Sequence, residues 1–462
     1  MVTTRTQELL KKDVAHFFHQ FGVIGQTPKM IWERGKGAQI WDTNGKQYTD
    51  MTSGGAHCAS LGFARKELSN AAYEQTQKLT TLMISEVMSN IPAIEYAAEL
   101  AEVLPGDINH VYFTNDGTGS NEAAVQMARL YWEANGQADK YKLMCLANAY
   151  HGSSALTRSL SNRGMAGFGH EYPGIVRIPN YHCHQCFFGL KYPSCNIACA
   201  KFIEIAIEQE GEETIAAFIA EPVQGGGIIW PPDEYWPTVS KICSDHNILL
   251  IADCVQTGFC RTGKFWGMDN WNVVPDIMSM GKGINSAYIP FGAVGVSDRV
   301  YKDLVGKSFM GGATTNGNPV CVATARAALK IYTEEKLAER SAKLGEHLHE
   351  RLVKEFLPLP CVDNVMGRGL FQSFEIALNK TTGSKFNPEA VTKAKDRVCN
   401  QCLARGIFAS RPLGHHPAAA QQSIVPPLVM RQYLVPPLVI TEDELDAALD
   451  VMLSVMKKVK PV

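Results

Sequence analysis

One lysine stands between two glycines at the end of an apolar run, in Pro275-Asp276-Ile277-Met278-Ser279-Met280-Gly281-Lys282-Gly283. A strand of this kind buries the stem of the Lys282 side chain, and the flanking glycines leave room for a flat ligand beside the amine. An amine so placed could trap an aldehyde cofactor as a Schiff base. Most lysines beside a glycine are solvated turn residues, so the weight of the reading rests on partners elsewhere in the chain.

Two such partners stand out. Asn115-Asp116-Gly117-Thr118-Gly119-Ser120-Asn121-Glu122 follows an apolar strand and opens a helix, whose first turn offers free N–H groups and small residues to a phosphate. A plain helix cap is the competing reading. It is not a Walker loop, because Gly306-Lys307-Ser308 has Tyr301 where the first glycine would stand. Asp253 ends the run Ile248-Leu249-Leu250-Ile251-Ala252, where an unpaired carboxylate is costly to bury. A protonated pyridine nitrogen would remove that cost, as would an ordinary cap or salt bridge.

The elements that must position these groups are legible as alternating apolar runs and helical tracts. Residues 110–114, 143–146, 216–220, 248–252, 277–280 and 293–296 read as buried strands separated by helices, the pattern of an α/β domain with a mostly parallel sheet. Ligands in such sheets sit outside the carboxyl ends of the strands. Asn115 to Thr118, Tyr150-His151-Gly152, Glu221-Pro222, Asp253 and Lys282 lie at those ends. An amphipathic helix and short extended pieces open the chain, and a helical region follows Ser53-Gly54-Gly55-Ala56-His57 as far as residue 104. A long helical tract runs to Phe356, residues 367–375 look like a strand entering a smaller α+β domain, and Glu442 to Lys457 reads as a closing helix. Residues 411–437, with two Val-Pro-Pro-Leu copies, read as a loop or insertion. The expected division is an N-terminal segment, 1–60, that joins the small domain, a large cofactor-binding domain over 61–325, and a C-terminal small domain over 326–462.

Bulk properties exclude several classes. Lys plus Arg (44) nearly balances Asp plus Glu (46), a net charge of -2, so nothing points to nucleic acid or a membrane surface. The first twenty residues hold no continuous apolar stretch of signal-peptide type, and no run approaches the ~18 apolar residues of a membrane span. Thirteen cysteines in a chain of 462 residues without a secretion signal fit reduced thiols in the cytoplasm.

An aldehyde-trapping lysine, a phosphate cradle, an acid for a ring nitrogen and the aromatic ring of Tyr150 are together what pyridoxal 5'-phosphate needs. Over nearly its whole length the chain resembles the class III, ω-type aminotransferases of the fold type I pyridoxal-phosphate enzymes. The resemblance is carried, in order, by Tyr150-His151-Gly152, Glu221-Pro222-Val223-Gln224-Gly225, Asp253-Cys254-Val255-Gln256-Thr257-Gly258-Phe259 with Arg261-Thr262-Gly263-Lys264, Gly281-Lys282-Gly283, and Thr314 ahead of Gly317-Asn318-Pro319. It implies that Lys282 is the Schiff-base lysine and Asp253 the partner of the pyridine nitrogen. It also implies that Gly117 and Thr118 hold the phosphate, Tyr150 stacks on the ring, Gln256 lies near the ring hydroxyl, and Glu221 stands on the substrate side. Thr314 is implied to reach the phosphate of a neighbouring subunit, hence a homodimer with sites at the interface, with dimers of dimers left open.

The activity so implied is ping-pong transfer of an amino group from a small ω-amino acid or amine to 2-oxoglutarate or pyruvate. Arg411 matches the place of a mobile arginine for the acceptor carboxylate, and Arg fits planar bidentate binding; Arg431 competes for the role. Ser153 stands where γ-aminobutyrate aminotransferases carry arginine, and His57 where many ω-aminotransferases carry tryptophan, which predicts a wetter pocket. Arg163 could serve an anionic donor. With Ser53-Gly54-Gly55 and Arg65-Lys66-Glu67, these positions resemble the taurine branch, so taurine or β-alanine is the expected donor. Three departures stand out: Cys254 for the usual Glu, Asp116 for Ser with some repulsion of a phosphate, and Thr315 for an aromatic. His182-Cys183-His184-Gln185-Cys186 with Cys195 and Cys199 has zinc-like spacing, but a related cysteine-bearing insertion occurs in many relatives, and no metal is assigned. A racemase, epimerase or aminomutase on the same fold, or a non-catalytic cofactor-binding protein, are the alternative readings; loss of Lys282 or Asp253 would mark the last, and both are present.

Overall fold

The structure, a computed structural model, describes residues 3–20, 24–161, 169–376, 388–409 and 431–459. Strands β1 (Trp32–Lys36), β2 (Gln39–Asp42) and β3 (Gln47–Asp50) form an antiparallel meander near the N-terminus. The main sheet has seven strands: β4 (Ile108–Thr114), β5 (Lys142–Leu146), β6 (Ile175–Ile178), β7 (Ile215–Ala220), β8 (Leu249–Asp253), β9 (Ile277–Met280) and β10 (Gly292–Ser297). Their order is β4-β10-β9-β8-β7-β5-β6. All six residues of β7 and all five of β8 are buried without alternation, because helices cover both faces of the sheet.

Pairings from β9 through β8, β7 and β5 to β6 are parallel, whereas β10 runs antiparallel to both β9 and β4. Two reversals cancel, so β4 points the same way as β9. The carboxyl ends of β4, β9, β8, β7 and β5 therefore open on one edge of the sheet, and Asn115 to Thr118, Lys282, Asp253, Glu221 and Tyr150-His151-Gly152 lie at or after those ends.

The helix Gly117–Ala134 begins at the end of β4 and lies against β7, β9 and β10. It buries Ala123, Ala124, Val125, Met127, Ala128 and Trp132, and a fully buried Val or Met side chain contributes about 1.5–3 kcal/mol. The helix Pro319–Glu334 is started by Asn318, whose side chain accepts from Val320 N at 2.9 Å and Cys321 N at 3.3 Å. The helical tract expected to run on to Phe356 is interrupted at Lys336, in the left-handed region at φ 49°, before the helix Leu337–Arg351.

Three expectations are corrected. Residues 367–375 are not one strand: β11 (Val362–Arg368) and β12 (Phe371–Ile376) form a hairpin that turns at Gly369, φ +55°. The strand β6 carries only four residues and was not anticipated. Within the stretch read as a loop, Arg431–Leu434 forms a strand, here β14, on the far side of β12, while 410–430 lie outside the described residues. The two-residue strand β13 (Ile407–Phe408) pairs in parallel with β3, which ties the N-terminal meander to the C-terminal part of the chain. Among the described residues no helix is long and apolar enough to cross a membrane.

Candidate active site

A cavity of about 340 Å³ opens at the shared strand edge, within the size range of small-molecule sites. Gly117, Thr118, Tyr150, Glu221, Asp253, Gln256 and Lys282 all line it. Residues from five strand ends, separated by 165 positions in the chain between Gly117 and Lys282, are brought to one wall.

Lys282 opens a short 3-10 turn directly after β9 and adopts φ +42°, a conformation that costs a non-glycine residue on the order of 1–3 kcal/mol. Burial pulls its amine below the ordinary lysine range, and this outweighs the opposing pull of Asp253, Cys58 and Glu221. The glycine before it is a close-approach position: a Cβ on Gly281 would lie 3.2 Å from Gly117 N and 3.3 Å from the Val255 side chain. Any larger residue there would press the strand end away from the helix terminus. Ser120 Oγ, 2.9 Å from Met280 O, holds the two together from below.

Gly117 and Thr118, the first residues of their helix, both line the cavity, and the free N–H groups of such a terminus suit an anion. Asp116 turns its carboxylate to the helix and accepts from Gly119 N at 2.7 Å. The repulsion expected of this residue is thereby partly spent as an N-cap.

Asp253 is 4% exposed and fully engaged on one oxygen. Its Oδ2 accepts from Asn121 Nδ2 at 2.8 Å and faces His151 Nδ1 at 2.7 Å, while Oδ1 accepts only from Val255 N at 3.1 Å. Asn121 spends its second N–H on His151 O at 2.8 Å and accepts from Ser279 Oγ at 2.5 Å. His151 Nε2 is buried with no partner. The carboxylate is therefore held rigidly by neighbours on three strand ends, with one oxygen left able to take a further proton donor. Asn121 and His151 were absent from the expected site residues. The available signal was spacing: Asn121 lies one helical turn after Gly117, on the same face.

Glu221 accepts from Tyr150 N at 2.9 Å and from Gly225 N at 2.7 Å, so backbone fixes both oxygens. Tyr150 is steadied at its hydroxyl, 3.1 Å from Ser153 Oγ. Cys254, one of the expected departures, is fully buried in the hydrophobic core and does not line the cavity.

Not all the anticipated residues converge. His57 does not line the cavity but backs it: its Nδ1 lies 3.2 Å from Gln256 Oε1, and its ring meets Tyr433 edge-on at 5.4 Å and Phe371 at 6.1 Å. Burial, reinforced by Lys282, pulls its pKa down to about 3. The wetter pocket expected at this position is instead a neutral imidazole in an aromatic box. The loop that carries it is braced by Arg261, which donates to Ser53 Oγ at 3.1 Å, Ser60 Oγ at 2.9 Å and Pro436 O at 2.6 Å. Because the folded ring remains uncharged far below the usual histidine range, His57→Asn is expected to leave the pH profile of kcat/KM between about pH 5 and 9 unchanged, with any loss appearing as a raised donor KM. Parallel profiles of the two proteins test this; disappearance of an acidic limb would mean that His57 titrates.

Thr314 is exposed and is not part of the cavity wall of its own chain. Arg163 and Arg411 lie outside the described residues. Arg431, the rival to Arg411, is buried at the start of β14 beside β12: it donates to Glu375 Oε2 at 3.2 Å and Ser373 Oγ at 3.3 Å and is absent from the cavity lining. The four cysteines of the 183–199 stretch gather around a second, small cavity. Burial, with Cys183 and the other two sulfurs nearby, pushes the Cys199 thiol up to about 12.

Comparison with known proteins matches residues 23–456 to the family model described as aminotransferase class-III. A putrescine–pyruvate aminotransferase of Pseudomonas aeruginosa is 34% identical over 437 residues, covering 92% of this chain and 92% of that one. Gamma aminobutyrate transaminase 2 of Solanum lycopersicum is 33% identical, covering 88% of this chain and 90% of that one. Among solved structures, an (S)-enantioselective omega-transaminase from Thermomicrobium roseum superposes with a TM-score of 0.89 at 35% identity, covering 99% of this chain and 100% of that one.

Proposed function

The chain belongs to the class-III aminotransferases, pyridoxal-phosphate enzymes of fold type I, and on that premise we propose that it is an ω-aminotransferase that takes the terminal amino group of a small donor and passes it to pyruvate or 2-oxoglutarate in a ping-pong cycle. The observation that carries this reading is the convergence of Lys282, Asp253 and the Gly117–Thr118 helix terminus on one cavity.

The residues present fit pyridoxal phosphate. The helix terminus at Gly117 and Thr118 is suited to its phosphate, the Oδ1 of Asp253 has room for a ring N–H, and Gly281 keeps the lysine and the helix terminus in contact. When bound, the cofactor supplies an electron-withdrawing ring that stabilises negative charge at the donor carbon. Asp253 would pair with the ring nitrogen and favour its protonated form. Lys282, whose burial favours the neutral amine, would hold the cofactor's aldehyde carbon and, once displaced by the donor amine, would be placed to take up and give back a proton as general base and acid. Glu221 and Tyr150 define the wall against which the reacting groups are oriented, Gln256 would meet the ring hydroxyl, and His57 supports Gln256 from behind.

For the donor, β-alanine or taurine is the first reading. It relies on Arg163 and Arg411 for the anionic ends, with Arg411 binding the acceptor carboxylate; the neutrality of His57 means that this residue supplies no charge for them. A diamine is the second reading, favoured by the resemblance to a putrescine–pyruvate enzyme. We also place the catalytic unit as a cytoplasmic homodimer. Residues 80–94 and 309–318 are joined by Asn318 Nδ2 to Thr80 O at 3.1 Å and Asn90 Nδ2 to Gly317 O at 3.2 Å. Val87 on the first segment and Met310 on the second, which also carries Thr314, are exposed at 81% and 91%. Thr315 Oγ1, which donates to Asn115 Oδ1 at 3.1 Å, ties the second segment to the rim of the cavity, where Thr314 would serve the second subunit's phosphate. None of the thirteen cysteines is paired in a disulfide, in keeping with a reducing compartment.

The test is a half-reaction titration of the yellow holoenzyme with taurine, β-alanine, putrescine, γ-aminobutyrate and alanine, followed by pyruvate or 2-oxoglutarate. Bleaching by one amine and recovery with one oxo acid establishes the transfer and identifies both substrates. Racemisation of an amino acid without bleaching would replace it with the epimerase reading.

A further inference from the structure

We propose that Cys183, Cys186, Cys195 and Cys199 form a tetrathiolate site for one structural zinc ion per chain. Their spacing, Cys-x2-Cys, eight residues, then Cys-x3-Cys, is two closely spaced pairs separated by a short loop, the usual arrangement of a closed zinc site. Spacing alone is weak. The fold adds that all four cysteines line one small cavity of about 20 Å³, room for a single small particle, whose wall also includes Asn180 and His182 beside apolar residues such as Phe188, Leu190 and Pro232.

Local structure explains how four positions spread over seventeen residues come together. Cys183 opens a 3-10 turn over Cys183–Gln185, and Cys186 closes it. Gly189, at φ +67°, then reverses the chain by donating to Cys186 O at 3.0 Å. On the other side, Cys195 N donates to Lys191 O at 2.9 Å, and Ala198 N to Cys195 O at 3.2 Å, which delivers Cys199 in the first turn of the helix Ala198–Glu210. A helix N-terminus favours the negative charge of thiolates.

Both histidines of the motif have a ring nitrogen engaged away from the sulfurs, which favours the four cysteines as the ligands. His182 Nε2 lies 3.2 Å from Arg431 Nη2, and His184 Nε2 lies 2.9 Å from Asp363 Oδ2. As placed, no three of the four sulfurs lie within 4.8 Å of one another, whereas a tetrahedral ion with Zn–S of about 2.3 Å holds its sulfurs about 3.8 Å apart. Binding therefore draws the two pairs inward and releases the thiol protons. That closure bears on the active site, because the same loop braces it: Tyr181 OH donates to Glu221 O at 3.0 Å, and Asn180 Nδ2 to Gln224 Oε1 at 3.2 Å.

The experiment is metal analysis of the full-length holoenzyme, purified from zinc-supplemented medium and dialysed against a weak chelator. About one zinc per chain is expected, falling to background in Cys183→Ser and Cys199→Ser but not in Cys321→Ser. Protein produced in cobalt medium should show the visible bands of tetrahedral thiolate-bound cobalt, at longer wavelengths than the cofactor absorbs. This arm needs no variant to fold. Background zinc together with absent cobalt bands would overturn the proposal, as would mass spectrometry that finds disulfides among these four cysteines.

Discussion

Lys282→Ala is expected to lower kcat/KM by about 1,000-fold or more while leaving a folded protein that still takes up pyridoxal phosphate. The loss is large because one side chain both holds the cofactor and moves the proton at the reacting carbon. The fold should tolerate the change. Lys282 adopts φ +42°, and alanine would meet the same strain, so neither relief nor added cost from the backbone is expected. The buried amine also has no network of hydrogen bonds whose loss would strand partners; its electrostatic neighbours are Asp253, Cys58 and Glu221. The check is single-turnover kinetics with the donor, alongside a thermal melt and a cofactor-binding titration. An added small primary amine should restore part of the proton transfer. Activity within tenfold of the parent would mean that another base does the work, and the central assignment would fail.

The strand ends were legible because burial and chemistry conflict there. Runs such as Ile248 to Ala252 cannot face water, so the first charged residue after each, Asp253 or Glu221, marks where the sheet meets a ligand. Shorter or bent elements gave no such mark. β6 has four residues, too few for a period to show, and the hairpin of β11 and β12 hides behind Gly367-Arg368-Gly369, which reads equally well as a strand with small residues. Long-range hydrogen bonds are hidden for another reason: nothing local in Tyr150-His151-Gly152 says that His151 will meet Asp253 across 102 positions. His57 shows the same limit in electrostatic form. Its residue type predicts a polar, hydrated ring, but Tyr433 and Phe371, both distant in sequence, remove the water and keep it neutral.

That dependence on partners makes the second large effect interpretable. Asp253→Asn is expected to lower kcat by about 1,000-fold, equivalent to about 4 kcal/mol of lost stabilisation at the reacting carbon. In the native site, Oδ2 already receives Asn121 Nδ2 and His151 Nδ1, at 2.8 and 2.7 Å. An asparagine must therefore place its carbonyl oxygen there and its NH₂ where Oδ1 stood. That NH₂ faces Val255 N, a donor in the native contact of 3.1 Å, and offers a hydrogen to the ring nitrogen instead of accepting one. The ring proton is then disfavoured, and the ring withdraws electrons less strongly. Stability should fall by about 1–3 kcal/mol, because Val255 N loses its acceptor and faces another donor, so kcat is to be compared at a temperature where a thermal melt shows both proteins folded. KM for the donor should also move little, since Asp253 touches the cofactor rather than the donor. A cofactor analogue methylated on the ring nitrogen carries a permanent positive charge there, and loading it into the variant should recover activity in a way that a merely mispositioned site would not. If the variant keeps near-normal kcat, or the methylated analogue fails to help a well-folded protein, Asp253 acts by holding His151 and Asn121 in place, and the charge is supplied elsewhere.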